Sequence, residues 1–458
     1  MNRRSSPERR QTPGVVSREA LPISSTRGAE RSIVVLATFP DSERSAEDEL
    51  GELSALTQSS GAVVVASVQQ NRPSPDGAYF IGRGKTAELG EVCARTQAEV
   101  VVFGHDLSPA QGRNLERELK VRVIDRTQLI MDLFASRAQT HQARLQVELA
   151  QLQYLLPRLR RMWTHLDRFR GGVGLRGPGE TQLESDRRSI RRRIDELKER
   201  LRLVERQHEL HRSARVGRFQ VGLIGYTNAG KSTLFNGLTG SGVLTEDRPF
   251  STLDTRTKTW KLPNGPSVLL SDTIGFVHRL PHHLIASFHA TLAEAVEADL
   301  LLHVVDGSSR DVALRIQSVV DVLRAIGAED RPRLLVFNKI DRVQDRVLLG
   351  AGGSDSVLIS AHTGAGLELL QQRVVQLWRR SLTPVRLRIP AAEVGLLSQM
   401  RCAAELSEPD FDGQFFRTDG LVPSEWLGIL RRFVLDPADG VNGRPGLLPR
   451  RPDPITER

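Results

Sequence analysis

The 458-residue chain has little cysteine and no long apolar run. Its two cysteines, Cys93 and Cys402, lie far apart and lack the spacing of metal ligands. Neither a disulfide framework nor a zinc site is therefore indicated, and we expect both cysteines to be ordinary core thiols. No stretch approaches the roughly 18 consecutive apolar residues of a membrane helix, and no apolar segment of a secretory signal follows the first residues. We therefore expect a cytoplasmic protein without a membrane span.

The net charge of +9 is concentrated in one part of the chain. Residues 137–218 contain 20 Arg and Lys against 10 Asp and Glu, a surplus of 10, so the rest of the chain is close to neutral. A basic excess in one segment is typical of a surface that binds a polyanion, although charge runs also occur on ordinary solvated helix faces. Charge alone leaves both interpretations open.

The hydrophobic pattern changes several times along the chain, whose length suggests two to four domains. Short apolar runs alternate with helix-like segments in two regions, which predicts two α/β units, and the first of these has the pattern of a small parallel sheet. Both ends of the chain are polar and aperiodic, which predicts disorder. The predicted order is a disordered arm at 1–32, an N-terminal parallel α/β subdomain at 33–137, an antiparallel helical hairpin at 138–218, a P-loop, Rossmann-like α/β domain at 219–382, a small α+β domain at 383–434 and a disordered tail at 435–458.

Between the two α/β regions the apolar residues repeat with helical spacing. A four-three spacing, typical of helices that pack together, relates Leu145, Leu149, Leu152, Leu156 and Leu159, and again Ile190, Ile194, Leu197, Leu201 and Val204. Two such helices joined by a loop predict the hairpin. Thr181 and Glu184 fit a capping box at the start of the second helix. The glycine-rich stretch RGGVGLRGPGE then forms an exposed tip.

The tip combines glycine with arginine. Arginine binds phosphates and stacks on bases, and glycine lets the backbone approach a crowded ligand closely. A flexible turn with solvated arginines is the alternative, but a turn needs only two or three glycines and no cluster of arginines. We therefore predict RNA contact by Arg158, Arg160, Arg161, Arg168, Arg170, Gly171, Gly172 and Arg176.

The strand QVGLI leads into a GxxxxGK[ST] phosphate loop and a helix, which is the structural context that this motif requires. Backbone N–H groups of the loop should face the α- and β-phosphates, Lys231 should reach the β- and γ-oxygens, and the Ser232 hydroxyl should ligate Mg²⁺. The predicted contacts of this loop are Gly225, Tyr226, Thr227, Asn228, Ala229, Gly230, Lys231, Ser232 and Thr233.

Two segments after the loop fit phosphate sensing. Following the strand SVLLS, Asp272 can hold Mg²⁺ through water, and the N–H of Gly275 can bind the γ-phosphate. One threonine of PFSTLDTRTKTW should complete the Mg²⁺ shell, and spacing alone does not choose among Thr252, Thr255, Thr257 and Thr259. The predicted contacts of these segments are Phe250, Ser251, Thr252, Leu253, Asp254, Asp272, Thr273, Ile274 and Gly275.

The motif NKID at 338–341 selects the base. The Asp341 carboxylate can accept from both the ring N–H and the exocyclic amine of guanine, whereas adenine presents an acceptor at the ring position. GTP and GDP are therefore predicted over ATP. The predicted base contacts are Asn338, Lys339, Asp341, Ser360, Ala361 and His362.

With the phosphate loop, the guanine motif and the hairpin together, the chain resembles the HflX family of ribosome-associated GTPases. The matching stretches lie at about residues 79 to 276 and include FIGRGK, DLSPAQGRNLE, GGVGLRGPGETQLESDRR and FSTLDTRTK. The resemblance implies a GTPase that binds the large ribosomal subunit, reaches rRNA near the peptidyl transferase centre with its tip, and helps split stalled or idle ribosomes under stress. It also implies that Thr252 is the Mg²⁺-binding threonine. We expect a monomer in the cytoplasm, at most partly associated with ribosomes or membranes.

Two positions leave alternatives open. Phe276 stands where many GTPases carry a water-orienting glutamine, so we expect slow hydrolysis by Lys231, Thr252 and Gly275, stimulated when the ribosome orders the switch segments. The alternative is a guanine-nucleotide-regulated RNA-binding protein of ribosome assembly, with turnover too slow for an enzyme.

Asn228 matches a residue that binds K⁺ in some related GTPases, but it can equally steady the loop. Whether K⁺ is bound in addition to Mg²⁺ is therefore open.

Overall fold

The computed structural model describes residues 29–42, 44–159, 178–213, 218–240, 250, 255–263, 265–273, 275–277, 294–343, 356–401 and 403–435. They form three sheets and a pair of long helices, in the predicted order along the chain. The predicted fold class is confirmed: a parallel α/β subdomain and a helical hairpin precede a P-loop domain and a small α+β domain. None of the described helices is both long and apolar enough to cross a membrane.

The N-terminal sheet is parallel, with strand order β2-β1-β3-β4. Its elements are β1 (Arg31–Thr38), α1 (Ala46–Ser59), β2 (Val63–Asn71), α2 (Arg83–Thr96), β3 (Val100–Phe103), α3 (Pro109–Leu119), β4 (Arg122–Ile124) and α4 (Arg126–Arg137). Helices cover both faces, which explains the continuous apolar run of β1. Val34 packs with α1 and α4 in one core, and Ile33 and Val35 pack with α2 and α3 in the other. Cys93 is a buried thiol of the second core, as predicted, and Cys402 lies in a part of the chain that is not described.

The N-terminal sheet includes the last two residues of the segment 1–32, which is predicted to be a disordered arm. Arg31 and Ser32 belong to β1 and pair with Val63 and Val64 of β2. Ser32 is fully buried, and its hydroxyl donates to the Val63 carbonyl at 3.1 Å. A polar residue whose hydrogen bond comes from a distant strand carries no local signal of burial. The remainder of the predicted arm, residues 1–28, is outside the described ranges.

The hairpin consists of α5 (His141–Leu159) and α6 (Pro178–Ser213). The predicted apolar seam joins them, and its buried members are Leu145, Leu149, Ile194, Leu197 and Leu201. Helix α6 begins at Pro178, before the predicted cap at Thr181, because the fixed φ of proline suits the first turn of a helix. Its 36 residues extend about 54 Å at the helical rise of 1.5 Å per residue, roughly twice the length of the 19-residue α5.

The P-loop domain has a six-stranded sheet with order β10-β9-β8-β5-β7-β6, parallel except for β6. Its described elements are β5 (Gln220–Gly225), α7 (Lys231–Thr239), β6 (Arg256–Lys261), β7 (Ser267–Asp272), β8 (Leu300–Asp306), α8 (Val312–Ala325), β9 (Arg333–Asn338), β10 (Ser356–Leu358) and α9 (Leu367–Ser381). Strand β5 pairs with both β7 and β8. Ligands of such sheets bind beyond the carboxyl ends of the central strands, where the order of strands reverses.

A small antiparallel sheet follows α9 directly. Its order is β11-β14-β12, with β13 on the edge of β14. Its elements are β11 (Leu382–Pro390), α10 (Val394–Met400), β12 (Glu405–Leu406), β13 (Asp410–Phe411), β14 (Phe415–Pro423) and α11 (Leu427–Leu430). This unit has its own core around Leu387 and Met400. The N–H of Leu435, the first residue of the predicted tail, donates to the Arg386 carbonyl at 2.9 Å, and residues 436–458 are not described.

Candidate nucleotide-binding site

The phosphate loop connects the carboxyl end of β5 to the first residue of α7. Glycine is required at both ends of this loop. Gly225 has a φ of +152°, and a Cβ there would lie 2.1 Å from the Val304 carbonyl oxygen. Gly230 has a φ of +91°, and a Cβ there would lie 2.2 Å from the side-chain nitrogen of Asn338. The loop is therefore pressed against β8 and the end of β9 more closely than any side chain allows.

Lys231 is the first residue of α7, and its side chain is buried beneath the loop. Its Nζ donates to the carbonyl oxygens of Gly225 at 3.1 Å and Tyr226 at 3.0 Å. Burial lowers the pKa of Lys231 to about 8, against the opposing attraction of the Asp272 carboxylate. A Cβ on Gly275 would lie 3.0 Å from this nitrogen. The fold thus brings together the lysine and the glycine that the sequence predicts to contact the β- and γ-phosphates.

Ser232 and Asp272 form the part of the site that fits Mg²⁺. The Ser232 hydroxyl donates to Asp272 Oδ2 at 2.8 Å, across 40 positions of sequence. Hydroxyl and carboxylate oxygens are the ligands that Mg²⁺ prefers, with the remaining positions taken by water and phosphate oxygens. GTPases in general use Mg²⁺ together with the nucleotide. The donor set therefore fits this ion at the place predicted from the sequence.

The guanine motif is tied to the phosphate loop by Asn338. Its side-chain nitrogen donates to the Ala229 carbonyl at 2.9 Å, and its side-chain oxygen accepts from the N–H of Ala361 at 2.8 Å. Asn338 thus fixes the loop and the turn after β10 relative to each other. Its neighbour Lys339 has a left-handed φ of +62° and forms an ion pair with Asp306 at 2.9 Å.

Asp341 is exposed and held as a carboxylate. The Ser360 hydroxyl donates to its Oδ1 at 2.6 Å, and this hydrogen bond lowers the pKa of Asp341. An ionised carboxylate accepts hydrogen bonds only, which matches the two N–H donors of guanine and not the ring acceptor of adenine. The predicted contacts Asn338, Asp341 and Ala361 therefore lie in one connected group.

Phe276 is a core residue. Its side chain is fully buried and packs with Ile224 and Leu301. Its N–H donates to the Gly225 carbonyl at 3.1 Å, and its carbonyl accepts from the Thr227 N–H at 2.7 Å. These two hydrogen bonds join the phosphate loop to the segment after Asp272. The apolar pair Phe276 and Val277 after Gly275 is the sequence signal for this burial.

Several predicted contacts with the nucleotide cannot be placed. Outside the described ranges are Ser251, Thr252, Leu253, Asp254 and Ile274. Of the four candidate threonines, Thr257 and Thr259 belong to β6, where the Thr257 hydroxyl lies 2.9 Å from Ser271 Oγ. Phe250 has a left-handed φ of +57° and is buried with its ring against Phe134, at 4.8 Å between centroids.

Arg158 is the one predicted RNA contact that falls on described residues. It forms an ion pair with buried Asp125 at 2.8 Å and donates to the Leu107 carbonyl at 2.9 Å. Its guanidinium also lies 3.4 Å from the ring centroid of Tyr154. These contacts anchor the end of α5 to the segments that follow β3 and β4 in the N-terminal subdomain, so the guanidinium is engaged within the protein. The structure does not describe Arg160, Arg161, Arg168, Arg170, Gly171, Gly172 or Arg176.

Sequence reasoning missed a contact between the first half of the chain and the phosphate loop. The Tyr226 hydroxyl donates to Glu52 of α1 at 2.5 Å, across 174 positions of sequence. No spacing or motif signals such a pair. The one unusual feature of the sequence here is a tyrosine in the phosphate loop, at a position where a small residue would suffice.

The two ends of the site together define the class of protein. A tightly pressed phosphate loop on a doubly wound sheet, joined through Asn338 to the ionised carboxylate of Asp341, is the arrangement of a guanine-nucleotide-binding P-loop protein.

Comparison with known proteins gives the family. Residues 47–135 match the family described as GTP-binding GTPase N-terminal, residues 137–215 match the GTP-binding GTPase Middle Region, and residues 220–339 match the 50S ribosome-binding GTPase family. The chain is 46% identical to the GTPase HflX of Escherichia coli K12 over 77% of its length and 84% of that protein. It is 42% identical to the GTPase HflX of Alkalihalophilus pseudofirmus over 84% of its length and 92% of that protein. The chain belongs to the HflX family of GTPases, and the prediction of a GTPase is confirmed.

A solved structure is also similar to this chain. It is a GTP-binding protein from the hyperthermophilic archaeon Sulfolobus solfataricus in complex with GDP. The identity is 24%, the TM-score is 0.42, and the likeness covers 76% of this chain and 98% of that one.

Proposed function

We propose that this GTPase binds the large ribosomal subunit and couples GTP binding and hydrolysis to the dissociation or rescue of ribosomes under stress. The hairpin would contact rRNA with its tip, and the P-loop domain would act as the switch. The match of residues 220–339 to a family described as 50S ribosome-binding GTPases supports this proposal.

The observation that carries the proposal is the shape and charge of the hairpin. Helices α5 and α6 bury their apolar seam against each other. The segment between the two helices, residues 160–177, has 5 Arg against 1 Asp, whereas α5 and α6 together have 12 Arg and Lys against 9 Asp and Glu. Arg188, Arg191 and Arg192 of α6 are exposed. A narrow basic projection can follow the backbone phosphates of structured RNA and enter a cavity that a globular domain cannot.

The nucleotide contacts that the sequence predicts are part of the proposal. Lys231 and the Gly275 N–H would stabilise charge on the β- and γ-phosphates, and Asp341 would select guanine. Ser232, Thr252 and, through water, Asp272 would hold Mg²⁺, whose charge neutralises the phosphate oxygens. With the γ-phosphate present, the segments around Thr252 and Gly275 would be ordered, and after hydrolysis they would be released.

Cosedimentation with purified large subunits tests the coupling. We expect tighter binding with a non-hydrolysable GTP analogue than with GDP at the same salt concentration, because only the triphosphate orders both switch segments. Salt is held constant because RNA binding by basic surfaces depends steeply on it. Equal affinities in the two nucleotide states would contradict the proposal.

A second candidate is an RNA-binding protein of ribosome assembly that guanine nucleotides regulate without appreciable turnover. It is favoured by the complete burial of Phe276, which leaves no side-chain hydrogen-bonding group at the usual position of the water-orienting glutamine. Phosphate release with and without ribosomes separates the two candidates. Stimulation by ribosomes supports the first, and a flat rate supports the second.

The proposal extends to K⁺ at Asn228, whose left-handed φ of +60° bends the loop at this residue. The alternative is that Asn228 only steadies the loop. Rates of phosphate release in KCl and NaCl, for the native chain and for Asn228→Ala, decide between them. A monomeric state and a cytoplasmic location stay predictions.

A further inference from the structure

A buried cluster of charges lies between the N-terminal subdomain and the phosphate loop. Glu52 of α1 accepts from Arg44 at 2.6 Å and from Arg126 at 2.5 Å. Arg44 also forms an ion pair at 3.2 Å with Asp311, which precedes α8 of the P-loop domain. Although burial would raise the pKa of Glu52, Arg126 and Arg44 outweigh it and hold this pKa at about 2. Glu52 is therefore a fixed negative charge at the boundary of the two domains.

Tyr226 of the phosphate loop reaches this cluster. Its side chain is 5% exposed, and its hydroxyl donates to the Glu52 carboxylate at 2.5 Å. The guanidinium of Arg315 lies 5.1 Å from the centroid of its ring, on the side of the P-loop domain. A hydrogen bond from a neutral hydroxyl to a buried carboxylate is among the stronger ones in proteins. The side chain of Tyr226 is thus held at its tip by one domain and at its ring by the other.

The backbone of the same residue belongs to the nucleotide site. The carbonyl of Tyr226 accepts from Lys231 Nζ at 3.0 Å, and the neighbouring N–H of Thr227 donates to Phe276. We propose that Glu52 is a positioning residue of the nucleotide site, which holds the phosphate loop in place from the N-terminal subdomain through the Tyr226 hydroxyl.

Two further contacts place the same subdomain beside the segments that sense the γ-phosphate. Phe250, which precedes the predicted Mg²⁺ threonine, and Val277, which follows Gly275, are both buried in the N-terminal core that contains Phe134. The N-terminal subdomain therefore contacts the loop and both segments at once. A packed neighbour of this kind adds to the contacts that pre-organise a binding loop.

Titration of the full-length chain with a fluorescent GDP analogue, without ribosomes, tests the proposal. Tyr226→Phe removes one oxygen atom and leaves the ring, the ion pairs and the backbone in place. We expect it to raise the Kd about tenfold, the size of one hydrogen bond to a charged group. Glu52→Ala should raise the Kd at least as much. Because the two side chains act as one unit, the double variant should bind no more weakly than Glu52→Ala alone.

Glu47→Gln is the matched control, since Glu47 is an exposed carboxylate on the same helix, and its Kd should equal that of the native chain. Thermal melting of each variant separates loop positioning from loss of structure, and Tyr226→Phe should keep the cooperative transition of the native chain, with a melting temperature lowered by only a few degrees, about the effect of one hydrogen bond. If Glu52→Ala does not fold because Arg44 and Arg126 lose the carboxylate that they share, Tyr226→Phe decides alone. A native Kd for Tyr226→Phe, or additive effects in the double variant, would overturn the proposal. Neither result bears on ribosome binding, which is tested separately.

Discussion

Lys231 gives the nucleotide site a pH dependence at the scale of a single residue. Its pKa is lowered to about 8 by burial, and phosphate oxygens favour its charged form, so that binding raises this pKa again. Above pH 8 the free protein must therefore take up a proton when nucleotide binds, and affinity falls as the pH rises. We expect the Kd for GDP to rise about tenfold between pH 7 and pH 9, measured by titration with a fluorescent analogue.

Lys231→Arg is the control for this dependence. Its guanidinium stays charged throughout the range, so its Kd should change little between pH 7 and pH 9, whatever its value at pH 7. A flat profile for the native chain would mean that the lysine is already solvated in the free protein.

Asp132 gives the N-terminal subdomain a pH dependence of its own stability. Burial raises its pKa to about 7, and Arg122, at 3.7 Å, offsets this only in part. Below pH 3.8 Asp132 is protonated in both the folded and the unfolded chain, and the stabilisation is complete. As the pH rises from 3.8 through 7, the unfolded chain loses this proton first, so the free energy of unfolding falls and the stabilisation is lost. We expect Asp132→Asn to gain roughly 1–3 kcal/mol at pH 8 relative to the native chain and nothing at pH 4, in parallel melting experiments.

Asp41→Asn serves as the control for Asp132→Asn. Asp41 is an exposed carboxylate of the same subdomain, so its substitution should leave the melting temperature unchanged at both pH values. An equal gain for Asp132→Asn at pH 4 and pH 8 would show that packing, and not ionisation, is the cause.

At the scale of elements, the hairpin depends on its apolar seam. Leu197 of α6 is completely buried between the two helices, whereas Leu203 of the same helix is 51% exposed. We expect Leu197→Ala to destabilise the hairpin by about 2–5 kcal/mol, the usual cost of a Leu→Ala substitution in a core. Hydrogen exchange of α5 and α6 measures this locally. Leu203→Ala should leave exchange at the native rate, and equal effects of the two variants would contradict the seam.

The sequence predicts elements well where one local pattern determines them. The apolar runs of β1 and β3 and the four-three spacing of Leu145, Leu149, Ile194 and Leu197 predict buried residues, and the structure agrees. The apolar run of the edge strand β2 is only partly buried, and its Val63 is 48% exposed. Helix ends are harder to predict because several starts compete over a few residues. At α6 the preference of Pro178 for a first turn outweighs the capping box at Thr181.

Contacts that depend on the meeting of distant segments could not be predicted. Arg158 is predicted from the sequence to contact RNA, and its contact with Asp125, 33 positions away, has no local signal. The periodicity of apolar residues predicts which face of a helix or strand is buried, but it does not predict which element packs against that face. The motif of the nucleotide site predicts which residues bind phosphate, because the spacing of residues within one loop is local information. The contact of Glu52 with that loop joins two domains that are far apart in sequence, so no local pattern predicts it.

At the scale of the whole molecule, the chain combines a nucleotide site in its middle with a basic hairpin that begins at the end of the N-terminal subdomain. The subdomain itself contacts the P-loop domain through Arg44 and Asp311 and through Phe134 and Phe250. Ala143 and Val147 of α5 pack in the same core as Phe250 and Val277, so the base of the hairpin is in continuous packing with the segments beside the nucleotide site. We expect nucleotide binding, in contrast, to need no part of the predicted tip.

This division predicts opposite effects of two variants. Deletion of 171–179 in the predicted tip should leave the Kd for GTP within about twofold of the native value, because distant sites act independently, and should abolish the stimulation of phosphate release by ribosomes. Lys231→Ala should weaken nucleotide binding itself, since it removes the ammonium beneath the phosphate loop. Nucleotide titration and phosphate release with and without large subunits measure both. If the tip deletion also destroyed GTP binding, the tip and the nucleotide site would form one functional unit, and the separation of RNA contact from nucleotide binding would be wrong.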